Sequence, residues 1–310
     1  MIISTGMRTD IPAFYAKWLD NRLKEGFVYV RNPYYENQVT KYLLNPNIVD
    51  CICFCTKNPA PILPYIDGEL SKYNQFWFVT LTPYDKTFEP NVPDKQKVID
   101  SFKEVSKRVG PNAIGWRYDP IFYGLGWNKE KHVLAFESFA KQLSGFTNFC
   151  VISFLDLYEK VKKNSPGIKP PTKEEQFELV KELVLIAKKY NIELRSCCEG
   201  THLAPLGVIT TGCQTQDVIE KAIGKTLSPP KRKNARMVCS CLLGQDIGAY
   251  NTCGHLCTYC YANMDKQLVY SNMKKHDPNS PMLVGNLKAN DKITEAKQES
   301  YIASQIKFDI

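Results

Sequence analysis

Short apolar runs rich in β-branched and aromatic residues alternate with segments of helical periodicity along the first 200 residues. Apolar runs of this length, bounded by polar residues, are typical of buried strands. There are six of them: "IIST" (2–5), "CICFC" (51–55), "FWFVTL" (76–81), "IGWRY" (114–118), "CVISF" (150–154) and "IELRSC" (192–197). The pattern therefore predicts six strands separated by helices.

Amphipathic helices are predicted between the strands. Apolar residues share one helical face in residues 11–19, where Gly26 can end the helix, in residues 98–105 and in "HVLAFESFAKQL" (132–143). The longest helix begins at Thr172, because Glu175 three residues later completes a capping box. Six βα units predict an α/β fold, a partial TIM barrel over residues 1–200.

Polar side chains follow the predicted strands at the point where each strand ends. The carboxyl ends of parallel strands form one mouth of a barrel, so these side chains should converge on a single pocket. Any one of them alone can also be a cap or turn residue, as Asp10 before a helix start illustrates. The candidates are Arg8, Lys57, Asn58, Tyr84, Arg117, Asp119, Ser153, Asp156 and Glu199.

Residues 201–310 differ in pattern, because Gly, Pro and Cys are more frequent there and helical signals such as "TQDVIEKAI" are short. We predict that this part is a cysteine-rich segment packed on the mouth of the barrel. It contains "YNTCGHLCTYCYAN" (250–263), in which Cys253, Cys257 and Cys260 have the spacing C-x3-C-x2-C. Three thiolates are one ligand short of a closed tetrahedral zinc site.

The chain has 310 residues, 12 cysteines and a formal net charge of +8. No secretory signal and no apolar run of about 18 residues is visible, so we expect a cytoplasmic protein without membrane contact. Thiols stay reduced there, which favours metal binding over disulfides. Only "KRKNAR" (231–236) is a compact basic run, and a solvated surface explains the charge better than nucleic-acid binding does.

Two metal sites are compatible with the cysteine spacing. Cys257 and Cys260 can form half of a zinc ribbon completed by Cys239 and Cys241, with His255 nearby, but Cys253 is then surplus. Alternatively, three cysteines hold three irons of a [4Fe-4S] cluster and leave the fourth iron open to a small ligand.

The remaining cysteines have two interpretations as well. Cys198, Cys213, Cys239 and Cys241 can hold a second, fully ligated [4Fe-4S] cluster, or they can be buried thiols that pack like small apolar residues. Residues 51, 53 and 55 are cysteines on one face of an apolar strand, which favours core packing.

The C-x3-C-x2-C motif with Tyr259 before its last cysteine resembles the signature of radical S-adenosylmethionine (SAM) enzymes. That resemblance implies a [4Fe-4S] cluster whose open iron binds SAM, a partial barrel, and an external electron donor such as flavodoxin or ferredoxin. It also implies that Tyr259 lies near the adenine. Arg8, Lys57 and Arg117 are candidates to bind the SAM carboxylate. The Gly-Gly-Glu strand end common in the superfamily is not visible.

The motif lies late in the chain, after all six predicted strands, which restricts the resemblance to one family within the superfamily. Together with "RTDIPAFY", "CTKNP", "LTPY", "EPNVP", "WRYDPI", "SFLDLYEK" and "HDPNSP", it resembles a bacterial family catalogued as a domain of unknown function with a C-terminal radical-SAM-like cluster. Some members of that family are queuine lyases, which cut a C–N bond of queuine to give 7-aminomethyl-7-deazaguanine.

The resemblance implies a radical SAM lyase with a small 7-deazaguanine base as its substrate. Carboxylates, an amide and an aromatic ring suit such a base, and the candidates are Asn58, Tyr84, Asp119, Asp156 and Glu199. Two alternatives stay open: a radical SAM lyase that acts on another substrate such as nucleic acid, and a zinc-binding protein without catalysis.

Overall fold

The structure is a computed structural model that describes residues 1–230 and 239–303. Its strands divide between a seven-stranded and a three-stranded sheet. They are β1 (Ile2–Ser4), β2 (Phe27–Arg31), β3 (Gln38–Leu43), β4 (Cys51–Thr56), β5 (Gln75–Thr80), β6 (Ile114–Ile121), β7 (Phe149–Phe154), β8 (Glu193–Ser196), β9 (Gln245–Asp246) and β10 (Lys292–Glu295).

The large sheet has the strand order β8-β7-β6-β5-β4-β1-β9, and all of its neighbouring pairs are parallel. Parallel neighbours require crossover connections, which helices supply here, so the predicted α/β class is confirmed. The six predicted strands are confirmed within one residue at their ends, except that β6 runs three residues further than predicted, to Ile121. Both faces of the central strands are covered, which explains why β5 is almost entirely apolar and buried.

The seventh strand of this sheet comes from the C-terminal part of the chain. Gln245 and Asp246 of β9 pair in parallel with Ile3 and Ser4 of β1, on the side of β1 opposite β4. Cys253, the first cysteine of the motif, follows seven residues after β9 ends at Asp246, so the motif begins near the carboxyl end of the sheet. The predicted division of the chain near residue 200 stays a prediction.

The small sheet was not predicted from the sequence. Strands β2 and β3 form an antiparallel hairpin, and β10 pairs in parallel with the outer edge of β3. Arg31 of the hairpin forms an ion pair with Asp291, which precedes β10. The C-terminal segment therefore contributes one strand to each sheet.

The predicted helices are present, although the first of them is divided, and three short helices (Leu63–Ile66, Glu159–Asn164 and Lys266–Lys274) were not predicted. They are α1 (Ile11–Phe14), α2 (Ala16–Glu25), α3 (Leu63–Ile66), α4 (Lys95–Val109), α5 (Lys129–Leu143), α6 (Glu159–Asn164), α7 (Lys173–Lys189), α8 (Gln216–Ile223) and α9 (Lys266–Lys274). The first predicted helix is divided at Tyr15, whose backbone leaves the helical region and whose hydroxyl donates to Thr252 O. Gly26 ends α2 in the left-handed conformation, as predicted.

The predicted capping box of α7 is present. Thr172 Oγ1 accepts a hydrogen bond from Glu175 N at 3.2 Å, and Glu175 Oε2 accepts one from Thr172 N at 2.7 Å. No helix within residues 1–230 and 239–303 is long and apolar enough to cross a membrane. The basic run at residues 231–236 lies outside the described residues.

Candidate functional site

A cavity of about 570 Å³ lies at the carboxyl ends of the parallel strands of the large sheet. Its walls combine residues that follow these strands with residues of the C-terminal segment. Among the side chains predicted for the site, those lining it are Lys57, Arg117, Asp119, Ser153, Asp156, Cys198, Glu199, Cys213, Cys239, Cys241, Cys253, Cys257, Tyr259 and Cys260. Residues up to about 200 positions apart in sequence therefore share one cavity.

The three cysteines of the motif lie on one loop at this cavity, which we call the cysteine loop (residues 253–260). Leu256 has a φ of 56°, and Cys260 N donates to Cys257 O at 3.1 Å, so the loop turns tightly between its last two cysteines. Burial raises the pKa of the Cys257 thiol well above its ordinary value, while nearby Lys57 acts in the opposite direction. Burial likewise raises the pKa of Cys253, so without a metal these two thiols hold their protons.

The segment formed by residues 88–92, which overlaps the quoted "EPNVP" (89–93), holds the backbone of the cysteine loop. Thr258 N donates to Phe88 O at 2.9 Å. Asn91 contributes two further bonds, from its backbone N to His255 O at 3.3 Å and from Nδ2 to Gly254 O at 2.7 Å. Three backbone groups in the motif are thus fixed by one neighbouring segment.

Two other parts of the chain complete the support of the cysteine loop. Asp10 Oδ2 lies 2.9 Å from His255 Nε2 and accepts a hydrogen bond from Lys57 N at 2.8 Å. On the opposite side, Lys160 Nζ donates to Cys260 O at 2.8 Å. Asp10 also caps α1 through Ala13 N, so this residue both caps a helix and lines the cavity.

Glu89 is a buried carboxylate beside the cysteine loop that the sequence analysis did not identify. Its Oε1 accepts from Lys57 Nζ at 2.7 Å and Thr82 Oγ1 at 2.6 Å, and it also bonds the hydroxyl of Tyr259. Its Oε2 bonds Lys95 Nζ. Burial alone would raise the pKa of Glu89, but the two lysines lower it to about 2. In the sequence, Glu89 is marked only by its place between "LTPY" and "WRYDPI", two of the motifs that follow or end predicted strands.

Cys197 and Cys241 form a second cysteine group around Cys213 at the cavity. Its Sγ lies 3.5 Å from Cys197 Sγ and 3.6 Å from Cys241 Sγ, and Gln214 N donates to Cys241 Sγ at 3.3 Å. A hydrogen bond with Cys197 lowers the pKa of Cys213, but its bond with Cys241 and burial bring the net value up to about 12. Cys197 belongs to this group, whereas the sequence pattern predicted Cys198 as the ligand.

Arg117 connects the second cysteine group to an acidic part of the cavity. Its Nη1 lies 3.7 Å from Cys213 Sγ and its Nε donates to Asp119 Oδ2 at 3.0 Å. Asp119 Oδ1 also accepts from Ser153 Oγ at 2.5 Å. Burial works against the charge of Arg117, yet Asp119 and Cys213 hold the pKa of the guanidinium well above its usual value.

Glu199 and Asp156 add two more carboxyl groups to the same end of the cavity. Burial raises the pKa of Glu199 to about 7, although its Oε1 accepts a hydrogen bond from Phe154 N at 2.8 Å. Asp119 and Asp156 lie close enough to Glu199 to raise its pKa further, so these three carboxyl groups make this end of the cavity acidic, and the wall also includes Asp10, Lys57 and the cysteine loop.

Three predicted site residues lie outside the cavity wall. Arg8 forms an ion pair with Asp246 of β9 at 2.8 Å, and Asn58 Oδ1 accepts from Ala60 N at 3.3 Å in the turn after β4. Tyr84 is buried, where its ring stacks on Phe122 at 4.1 Å. These contacts give each of the three a structural role in the described protein.

The arrangement of the possible metal ligands differs for a single metal ion and for a [4Fe-4S] cluster. In the described part of the chain, no group of three or more His, Cys, Asp or Glu side chains is arranged around one point that a single metal ion could occupy. A [4Fe-4S] cluster makes a different demand, because each thiolate binds a separate iron. Cys253, Cys257 and Cys260 on one loop, beside two lysines, fit that demand in ligand type and charge.

Comparison with known proteins gives one match. The model of a family described as "Domain of unknown function (DUF1848)" matches residues 2–262, which is more than half of the chain and includes the whole cysteine loop. Neither a curated protein nor a solved structure matches the chain.

Proposed function

We start from the premise that the chain belongs to the DUF1848 family, and we propose that it is a radical SAM enzyme of the cytoplasm. The observation that carries this proposal is the common cavity. Cys253, Cys257 and Cys260, which match the radical SAM spacing, line the same space as the polar residues that follow the parallel strands. A cluster bound by these cysteines would therefore face a chamber large enough for a cosubstrate and a small molecule.

The strand order supports the finer proposal for the fold, a partial TIM barrel of six βα units. In a doubly wound sheet the strand order reverses at a switch point, where the ligand binds. Here the order from β1 through β4, β5, β6 and β7 to β8 runs without reversal, as it does around a barrel. The cavity lies at the carboxyl ends of the strands, where barrel enzymes have their sites.

When bound and reduced, the cluster would supply the electron that cleaves SAM to a 5′-deoxyadenosyl radical. The chain's own residues would bind and orient the cosubstrate. Lys57 and Arg117 place positive charge on the cavity wall, where a carboxylate can form charge-assisted hydrogen bonds. Burial of the cysteine loop keeps bulk water away from the reacting groups.

For the substrate we propose queuine, which would make the protein a queuine lyase that releases 7-aminomethyl-7-deazaguanine. The acidic end of the cavity supports this choice, because a deazaguanine edge carries several N–H donors and carboxylates accept them. Asp119, Asp156 and Glu199 are the proposed acceptors. Asn58 and Tyr84 do not line the cavity, which leaves the carboxylates as the better candidates.

The second cysteine group remains a proposal for a further iron-sulfur cluster. Its ligands would be chosen among Cys198, Cys213, Cys239 and Cys241, and the contact of Cys213 adds Cys197. By contrast, both ring nitrogens of His255 face oxygens, of Asp10 and Asn91, which does not favour its use in a zinc ribbon.

Anaerobic purification tests the proposed chemistry. We expect a brown protein that contains iron and sulfide and that forms 5′-deoxyadenosine from SAM when an external reductant such as reduced flavodoxin or dithionite is added. Cys257→Ala should abolish this product, while Cys150→Ala, a buried cysteine of β7 outside the cavity, should retain it. A colourless protein with stoichiometric zinc and no SAM cleavage would refute the proposal and support a non-catalytic zinc protein.

The substrate needs its own measurement. Incubation with queuine, SAM and reductant should give 7-aminomethyl-7-deazaguanine, detected by mass spectrometry. If SAM is cleaved but queuine is unchanged, the radical chemistry stands and the substrate assignment is wrong. Salt-dependent binding of DNA or RNA would then point to the alternative lyase that acts on nucleic acid.

A further inference from the structure

Glu89 occupies an unusual position for a charged residue. Its carboxylate is almost completely buried, and it is bonded by groups from four separate parts of the chain. Lys57 follows β4, Thr82 follows β5, Lys95 begins α4, and Tyr259 belongs to the cysteine loop. A buried carboxylate is costly to desolvate, so its retention requires this complete set of donors.

Two of these partners face the proposed cluster and cosubstrate. Tyr259 stands between Cys257 and Cys260 in sequence, and Lys57 Nζ lies 5.6 Å from the centroid of its ring. Both side chains line the cavity, whereas Glu89 lies behind them. The carboxylate can therefore act on the cavity only through the groups that it holds.

We propose that Glu89 is the positioning residue of the cysteine end of the cavity. It fixes the Lys57 ammonium and the Tyr259 phenol in one arrangement, and its negative charge offsets one of the two lysine charges beside Cys257. The expected effects of Glu89 on the cluster and on SAM binding rest on the proposed function. The expected effect on the arrangement of the cysteine loop does not, because it follows from contacts within the chain.

The simpler alternative is that Glu89 only stabilises the connection between β5 and α4. A structural anchor would change the free energy of unfolding but not the electrostatics of the loop. Glu89→Gln removes the charge and keeps the size, whereas Glu89→Asp keeps the charge. Glu104→Gln is the matched control, because Glu104 is also paired with two cations but lies half-exposed on α4.

In the iron-loaded protein, E89Q should shift the midpoint potential of the cluster in the positive direction, because a nearby negative charge is lost. Its KM for SAM should rise about tenfold, as expected when a charge-assisted hydrogen bond no longer holds Lys57. E89D should restore the wild-type potential, and E104Q should leave potential and KM unchanged. Wild-type potential and KM in E89Q would overturn the inference.

A measurement on the metal-free chain separates this inference from the proposed function. Alkylation of Cys257 by N-ethylmaleimide, followed by mass spectrometry, should be about tenfold faster in E89Q than in wild type or E104Q, because the cysteine loop opens more readily when Glu89 no longer holds Lys57 and Tyr259. If the wild type neither binds iron nor cleaves SAM, the proposed function fails and this rate still decides the role of Glu89. An unchanged rate would refute it.

A second variant covers the case in which E89Q does not fold. Tyr259→Phe removes only the hydroxyl that bonds Glu89 and leaves the buried ring in place. Faster alkylation of Cys257 in a Y259F protein with a wild-type circular dichroism spectrum would support the positioning role. The same rate as in wild type would contradict it.

Discussion

His132 is a fully buried histidine, and its replacement tests whether burial keeps this side chain uncharged in the folded protein. Its Nε2 lies 2.9 Å from Phe122 O and its Nδ1 lies 2.8 Å from the hydroxyl of Tyr118. The carbonyl can only accept, so Nε2 carries the proton and Nδ1 accepts from the tyrosine. Burial lowers the pKa of His132 to about 4, although the bond to Phe122 acts in the opposite direction.

The sign of the pH effect follows from this depressed pKa. The unfolded chain has the ordinary histidine pKa of 6.5, so between that value and about 4 the unfolded state binds more protons than the folded state. The free energy of unfolding therefore falls as the pH drops through this window. The full loss is about 3 kcal/mol, and about 2 kcal/mol of it should appear between pH 7.5 and pH 5.

Urea unfolding of wild type and His132→Gln at these two pH values measures the effect. For each protein, the free energy of unfolding at pH 5 is subtracted from its value at pH 7.5, and the two differences are compared. The pH-independent cost of the substitution cancels in this comparison. We expect the wild type to lose about 2 kcal/mol more than the variant on going to pH 5. Equal losses in the two proteins would show that His132 is not held neutral and would refute the reasoning.

Three further substitutions have defined outcomes. Thr172→Ala should lower the free energy of unfolding by about 1 kcal/mol, measured in urea, because the capping box of α7 is lost; a change near zero would contradict the cap. Gly6→Ala should cost about 1–3 kcal/mol in the same assay, because its Cβ would lie 2.4 Å from Cys55 O; a protein of wild-type stability would show that the two segments separate easily. Asp10→Asn should cost about 1.5–3 kcal/mol through its charged contact with His255; thermal melting at wild-type temperature would exclude this contribution.

The strands of the large sheet were predictable because both of their faces are buried. Their sequences are then short apolar runs, and the polar residues that follow them share one cavity by the geometry of parallel strands. Lys57, Arg117 and Asp119 could be placed in this way. The start of α7 was equally clear, since Thr172 and Glu175 carry the capping signal within four residues.

Other features depend on contacts that no local pattern encodes. Gln245 and Asp246 form β9 through backbone pairing with β1, so their side chains give no strand signal. The pairing of Glu89 with Lys57 and Lys95 depends on how distant segments meet. Adjacent cysteines present the same difficulty, because the sequence pattern favoured Cys198 as a ligand and did not indicate that Cys197 contacts Cys213.

The position of β9 also has a consequence for the order of events during synthesis. Ile3 emerges from the ribosome before its partner on one side, Gln245, which follows more than two hundred residues later. At about 5–20 residues per second, that edge of β1 waits at least about ten seconds for its neighbour. Until then the first strand presents an unpaired edge, which is a site of premature association that nascent chains must be protected from. The cavity is thus among the last parts of the molecule to be completed.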